Sequence, residues 1–391
     1  MKIVLLQDEI YLPTLAGGTK ANRCLLEEFV RHGHECLALT RALTGSSEGP
    51  TIVPQFFEEM RSRSTTVHTV QTDVFSYEHQ GVKVEALNFS DEEARGSYLE
   101  QRIQSIQPDG VFVADDKRRF MLGSALQAAP HRVILLLQTI VQLPFGPLSV
   151  GANSEYADLM REAAAIVVIS DFARQYMLVH GQLESHLLPI PVYGKGPFPD
   201  LARFDAGFIT MINPCELKGL EIFLALARAY PNARFATVPT WGADDNVLSR
   251  LDALKNVQIL KPADDIEEIL ARTRILLVPS LWPETFGYVV PEAMLRGIPV
   301  LASNVGGLPE AKLGVDYLLE VAPAEWRDGA FVSPPQEISA WSQALARLLF
   351  DKEAYERCSQ QSRQAALQFV AGVSIASFET LMAELVEKRR V

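Results

Sequence analysis

Short apolar runs alternate with stretches of helical period almost from the first residue, and a Pro- and Gly-rich segment divides the alternation into two series. Residues 2–7 form an apolar run. Residues 8–18, with Pro13, Gly17 and Gly18, read as a loop. Residues 19–32 place Leu25, Leu26, Phe29 and Val30 on one helical face, and Gly33 supplies the left-handed residue that stops such a helix. Further strands are expected at 34–40, 82–88, 110–114, 133–138 and 166–170, with helices between them. Residues 42–81, rich in Ser, Thr and Glu, show no clear period and read as an insertion with some local helix. Pro189, Pro191, Pro197 and Pro199, with Gly194 and Gly196, make 188–205 the best linker. The second series has strands at 207–212, 234–238, 257–260, 274–278 and 299–302, and is helical from Glu337 onward. Strands alternating with helices give parallel sheets covered on both faces. The expected fold is α/β, with two doubly wound, Rossmann-like domains at 1–190 and 191–373. The helical tail, 374–391, is long enough to pack back on the first domain. Ligands of such folds sit at the carboxyl ends of the strands.

Composition narrows the function. The 391 residues, 48% of them hydrophobic, suffice for two full cores. No run of 18 apolar residues occurs, and the opening Met1–Asp8 turns polar too early for a signal peptide, so a cytoplasmic protein without a transmembrane segment is expected. A net charge of −12 argues against nucleic acid and anionic lipid as partners. Cys24, Cys36, Cys215 and Cys358 lack the spacing of a zinc site or a disulfide framework. No Gly-x-Gly-x-x-Gly follows any strand, which argues against a dinucleotide-dependent dehydrogenase.

The chemistry concentrates in residues 278–297. A strand ends, a loop carries Pro279, Trp282, Pro283 and Glu284, and a helix starts near Tyr288 and stops at Gly297. Pro291 is tolerated in its first turn. The amides of Phe286, Gly287, Tyr288 and Val289 sit where a helix start favours an anion, and Glu284 and Glu292 can accept hydrogen bonds from sugar hydroxyls. The same residues also fit an ordinary strand–loop–helix turn with two acids near its start.

This segment resembles the signature of the retaining family-four glycosyltransferases of the GT-B fold. Glu284 and Glu292 are separated by seven residues, Phe286-Gly287 lie between them, and Glu292-Ala293-Met294 follow. The continuation from Gly297 to Glu310 matches as well. The resemblance implies two domains facing across a cleft and a nucleotide-diphosphate sugar as donor, a UDP- or GDP-linked hexose. Glu284 would hold donor-sugar hydroxyls, the Phe286 and Gly287 amides the sugar, the Tyr288 and Val289 amides the phosphate, and Glu292 the ribose. The loop around Gly17 and Gly18 matches the family's first glycine-rich loop. Lys218 matches a lysine that clamps the diphosphate, while Asn213 stands where many relatives have Arg. Gln138 stands where many have His, leaving Asp115 and Asp116 as further acceptor-side candidates. No Asp-x-Asp triplet is present, so no metal and no obligatory cofactor is expected. The partners implied are a small-molecule donor and an acceptor hydroxyl that the sequence does not identify, nor does it give an oligomeric state. An epimerase or phosphorylase on the same fold, or a non-catalytic sugar-nucleotide binder, stays open as an alternative.

Overall fold

The computed structural model describes residues 1–14, 16–42, 53–114, 116–327 and 329–387. The chain divides into two compact units, Met1–Val192 joined by the residues from Ser374 onward, and Tyr193–Val373.

Unit 1 contains strands β1 (Lys2–Ile10), β2 (Glu35–Arg41), β3 (His68–Gln71), β4 (Val74–His79), β5 (Val82–Leu87), β6 (Gly110–Ala114), β7 (Val133–Leu137), β8 (Ala165–Val168) and β9 (His186–Leu187). Its helices are α1 (Gly17–Arg31), α2 (Val53–Ser62), α3 (Glu92–Ile106), α4 (Met121–Ala128), α5 (Ser154–Met160) and α6 (Asp171–Tyr176). The strands form one sheet in the order β3-β4-β5-β2-β1-β6-β7-β8-β9. From β5 to β9 every pairing is parallel, and β3 and β4 add on antiparallel. The central strands are buried on both faces, as crossover helices on both sides require. One such layer packs Val4, Leu6, Val111 and Val133 under Leu99, Ile103 and Leu122 of α3 and α4.

Unit 2 contains β10 (Phe208–Ile212), α7 (Leu220–Ala229), β11 (Phe235–Val238), α8 (Asp245–Asp252), β12 (Val257–Ile259), α9 (Ile266–Leu270), β13 (Thr273–Val278), α10 (Val289–Leu295), β14 (Val300–Ser303), α11 (Leu308–Ala311) and β15 (Leu318–Leu319). A hairpin of β16 (Glu325–Arg327) and β17 (Ala330–Val332) follows, then α12 (Ser339–Phe350) and α13 (Lys352–Ala371). The parallel sheet runs β12-β11-β10-β13-β14-β15. Both units therefore have the doubly wound topology that the alternation implies.

The last helix, α14 (Ala376–Glu387), belongs to unit 1. Phe378 meets Phe29 and Phe112 edge-on or tilted, both with ring centroids 6.3 Å apart, and Glu379 accepts from His34 Nε2 at 2.8 Å. The stretch Lys352–Glu387 is long and apolar enough to cross a bilayer by length and composition. In this fold it is two helices, and each buries one face: Tyr355, Cys358 and Ala366 from α13, Phe378, Leu381 and Met382 from α14.

The structure departs from the sequence reading in two places. Residues 43–52 of the irregular stretch lie outside the described residues, but the rest of it holds α2 and the antiparallel strands β3 and β4. Strand β3, at the sheet edge, is exposed along its whole length and β4 alternates imperfectly, so pairing forms them, β4 on β5 and β3 on β4, not their own pattern. At the N-terminus, β1 runs on to Ile10 with a register shift after Leu6, and α1 starts at Gly17 instead of Thr19. Gly17 and Gly18 occupy the first two helical positions, whose amides have no partner inside a helix.

Lys312, which ends α11, is 1% exposed and donates to the Val300 carbonyl at 2.7 Å. Burial lowers its pKa from 10.5 to about 8, against the opposing pull of Cys358 and Asp316. Between those two values the unfolded chain holds the proton that the folded chain has released, so stability from this group rises with pH. Lys312→Met, similar in volume, removes that slope. Urea unfolding at pH 7.5 and 9.5 should show the wild type gaining on the variant, by at most about 1.4 kcal/mol per pH unit. Parallel profiles would show that Lys312 is not held against its charge.

Candidate active site

In unit 2, β10 lies between β11 and β13, and the connections leave it in opposite directions along the sheet. This is the switch point at which open α/β sheets bind ligands beyond their carboxyl ends. Two loops meet there. The first, after β10, closes in a 3-10 turn, Glu216–Lys218, followed by Gly219 and α7. The second, after β13, carries residues 279–288 into α10.

Backbone bonds join the loops directly. The Leu217 carbonyl accepts from the amides of Leu281 at 2.9 Å and Trp282 at 3.0 Å. Gly219 has φ +83°, and a Cβ there would stand 2.0 Å from the Pro279 carbonyl oxygen. A third loop, after β14, closes on the same place. The Gly307 amide donates to the Glu284 carbonyl at 2.7 Å, and a Cβ on Gly306 would stand 2.4 Å from that oxygen.

Within this frame Lys218 Nζ donates to Glu284 Oε1. Ser280 Oγ donates to the same oxygen at 3.0 Å. Both members of the ion pair are partly open, with side-chain exposures of 19% and 18%. Lys218 and Glu284, both candidates from the sequence, face each other here.

Other candidates fall around them. Asn213 ends β10 with φ +59°, and its side-chain oxygen accepts the Gly242 amide at 2.9 Å, tying down the loop after β11. Phe286 buries its ring against Phe369, stacked at 5.8 Å, and against Tyr288, so its backbone is what it can offer a ligand. Gly287, with φ +96°, turns the chain into α10, where Tyr288 caps the helix and Val289 is its first residue. Glu292 is on the first turn and 5% exposed. It lies near Tyr193, whose hydroxyl pKa is raised well above its ordinary value by burial and then by Tyr288 and Glu292.

Unit 1 has its own switch point, between β1 and β6. Gly17 and Gly18 begin α1 above β1. Gln138, at the end of β7, donates through Nε2 to Asn22 Oδ1 on α1. Asn22 donates to Gln7 Oε1 at 2.6 Å, and Gln7 donates to the Ile10 carbonyl at 2.8 Å. Three buried side-chain amides thus link β7, α1 and the end of β1. Gln138 has its amide nitrogen committed inside this chain.

Asp116 needs a larger correction. Its carboxylate accepts the amides of Phe120 and Met121 at 3.2 Å and Leu122 at 3.0 Å, plus the Tyr156 hydroxyl at 2.9 Å. It is a cap for α4, with its oxygens filled, and not a group presented to an acceptor. Burial raises its pKa, and the hydrogen bonds from Leu122, Tyr156 and Met121 oppose that. Asp115 lies outside the described residues. The sequence reading missed Asp8, which at 3% exposure accepts from Arg41 Nε at 2.6 Å and Arg95 Nη1 at 2.8 Å. An acid at a strand end followed by a distant Arg at a second strand end was the available signal.

Comparison with known proteins bears on the unit 2 site. Residues 246–365, which include Glu284 and Glu292, match the family model "Glycosyl transferases group 1". This stretch is similar to the group 1 glycosyl transferases. A Streptomyces coelicolor exopolysaccharide phosphotransferase is 27% identical over 69% of this chain and 28% of its own length. A D-inositol 3-phosphate glycosyltransferase of Corynebacterium efficiens is 30% identical over 39% of this chain and 33% of its own. The chain thus spans only a minor part of the curated relatives it matches. Among solved structures, Anabaena HepE in complex with UDP-glucose aligns over 99% of this chain and 100% of its own, with TM-score 0.66 and 17% identity. The fold, two Rossmann-like α/β domains, is that of the GT-B glycosyltransferases. Lys218 and Asn213 fall before the group 1 match, yet the loops carrying Lys218 and Glu284 are bonded to each other.

Two glycine substitutions test the loop geometry. Gly33 and Gly219 share nearly the same φ, +84° and +83°, but a Cβ on Gly33 meets nothing within 4 Å. Gly33→Ala should cost about 1–2 kcal/mol, the strain of a left-handed residue alone. Gly219→Ala adds a collision with backbone and should cost clearly more. Equal unfolding midpoints for the two variants would contradict the close approach of the two loops.

Proposed function

We propose that this protein is a retaining glycosyltransferase that moves a hexose from a UDP- or GDP-linked donor to an acceptor hydroxyl. The observation that carries the reading is the Lys218–Glu284 pair at the switch point of a group 1 glycosyl transferase domain. The UDP-glucose complex of a protein with the same fold supports a nucleotide-sugar donor. Lys218 and Glu284 satisfy each other's charge. A donor separates them: its diphosphate takes the lysine, and a sugar hydroxyl donates to the carboxylate that the lysine leaves. Such an exchange keeps both ions paired throughout, which limits the desolvation cost of binding.

In the reaction, an acceptor hydroxyl attacks the anomeric carbon from the side the diphosphate leaves. The carbon–oxygen bond to the β-phosphate breaks, its electrons go to the phosphate, and a phosphate oxygen receives the hydroxyl proton. Lys218 and the amides at Tyr288 and Val289 stabilise the charge growing on the leaving group. This route needs no side-chain base. That agrees with Asp116 being filled by its cap and with Gln138 being unable to take a proton.

Three variants separate the roles. Glu284→Ala should bind bare UDP or GDP at least as well as wild type, since it frees Lys218, while turnover falls. Glu292→Ala and Lys218→Ala should both weaken the bare nucleotide. A hydrogen bond to a charged group is worth about 1.5–3 kcal/mol, so losses of roughly 10–150-fold are expected. Calorimetry with the nucleotide alone decides; a Glu284→Ala variant that loses nucleotide affinity as Glu292→Ala does would sink the assignment. A thermal-shift panel of nucleotide diphosphates and their sugars selects the base, since a ligand bound only by the native state raises the melting temperature with its affinity.

Stereochemistry and metal dependence give a separate test. An α-linked donor should give an α-linked product, read from proton NMR couplings, and the rate should survive EDTA within about tenfold, that is 1.4 kcal/mol in barrier. A β-linked product, or a larger loss restored by Mg²⁺ or Mn²⁺, would overturn the mechanism.

A further inference from the structure

The β16–β17 hairpin is the least buried paired segment of unit 2. Glu325, Trp326, Arg327, Ala330 and Val332 are all exposed. It follows β15 and so emerges at the carboxyl edge of the parallel sheet. A short exposed hairpin is marginal alone and needs something to pack on. Here that partner is the loop of the candidate active site. Trp326 and Phe331 are cross-strand partners, with ring centroids 4.7 Å apart at 66°. Phe331 also meets the Trp282 ring at 4.8 Å and 57°. At the root of the hairpin, the Ala324 amide donates to the Leu281 carbonyl at 2.9 Å. Glu325 and Arg327 alternate onto the other face and pair with each other.

Trp282 is two residues before Glu284, and its own backbone sets the turn between them. Its carbonyl accepts the Glu284 amide at 2.8 Å and Ser280 Oγ at 3.3 Å, and its amide donates to Leu217 beside Lys218. A rigid ring contact on Trp282 therefore fixes the backbone that aims the Glu284 carboxylate. Tilted and edge-on aromatic pairs at these distances are attractive beyond the area they bury.

We propose that Phe331 is a positioning residue of the active site. Backed by Trp326, it holds Trp282, and through Trp282 it holds Glu284 in the place where a donor sugar is gripped. This rests on the reading of Glu284 as the donor-sugar contact. The amides at the start of α10 and the Glu292 carboxylate lie outside this chain of contacts, and the Lys218 loop keeps a bond that does not involve Trp282, from the Leu281 amide to the Leu217 carbonyl. Loss of Phe331 therefore separates nucleotide binding from turnover.

The test uses the full chain with Phe331→Ala, Phe331→Tyr and Trp326→Ala. Amide hydrogen exchange is followed over residues 280–285, calorimetry is done with UDP, and UDP release is measured from UDP-glucose. Phe331→Ala should speed exchange at 280–285 without altering β13 or β14. It should keep the wild-type affinity for UDP and lower kcat on UDP-glucose roughly tenfold or more, equivalent to about 1.4 kcal/mol in barrier. Phe331→Tyr, which keeps the ring, should restore both exchange and kcat, and Trp326→Ala should fall between. Unchanged exchange, or faster exchange with wild-type kcat, would overturn the inference. A wild type that neither binds UDP nor turns over UDP-glucose would instead count against this donor in the proposed function. The exchange measurement would still decide whether Phe331 holds the loop.

Discussion

Two neighbouring strands with a change of winding direction between them produce the candidate site. Because β10 pairs with β13, Lys218 and Glu284, 66 residues apart in sequence, end up on facing loops. Everything else around them serves to keep those loops close. One carbonyl, that of Leu217, accepts two amides from the opposite loop. Gly219 and Gly306 let main chain approach main chain where any Cβ would collide. Loops joined this way gain precision from the backbone, whose bonds are short and obligatory, and leave side chains free for chemistry. An ion pair between partly exposed residues adds little stability by itself. Its place at the meeting point of three loops is better explained by what a charged ligand does when it arrives.

The two units treat polar groups differently at their carboxyl ends. In unit 1, Asp8 sits between two arginines, Asp116 fills its oxygens with amides and a tyrosine hydroxyl, and Gln7, Asn22 and Gln138 run as a chain of buried amides. Buried polar networks of this kind rigidify when they are satisfied and are costly when broken. In unit 2 the Lys218–Glu284 pair at the switch point is partly open, while Asn213, Ser280 and Glu292 around it are buried.

The alternation of strands and helices was legible because β6, β7 and β8 are unbroken apolar runs and β1, β10 and β13 are mostly apolar, and such runs have few other uses in a chain of this size. The Glu284–Glu292 segment was legible through its resemblance to a family, and its loop-to-helix turn through Pro283 and Gly287. The edge strand β3 was not, since an exposed strand owes its shape to a neighbour, and β4 beside it alternates too imperfectly to show a period of two. Asp116 could not be seen as a cap because it stands five residues ahead of the residue that formally starts α4, outside the usual capping pattern. The amide chain was invisible for a plainer reason. Gln138 and Asn22 are 116 residues apart, and no local period connects them. The hairpin was hidden in a Pro- and Glu-containing stretch with too few residues to show alternation.

One feature of the topology reaches back to how the chain is made. Unit 1 contains α1, β2 and β6, which are synthesised early, and α14, which is synthesised after all of unit 2. Phe29 and Phe112 have to wait for Phe378. While the ribosome produces residues 193–373, the first unit has a sheet but lacks one of the helices that cover it. The second unit, continuous in sequence, can close as soon as it emerges. The order of completion is therefore the reverse of the order of synthesis. During that interval the rings of Phe29 and Phe112 lack the cover that Phe378 of α14 later gives them.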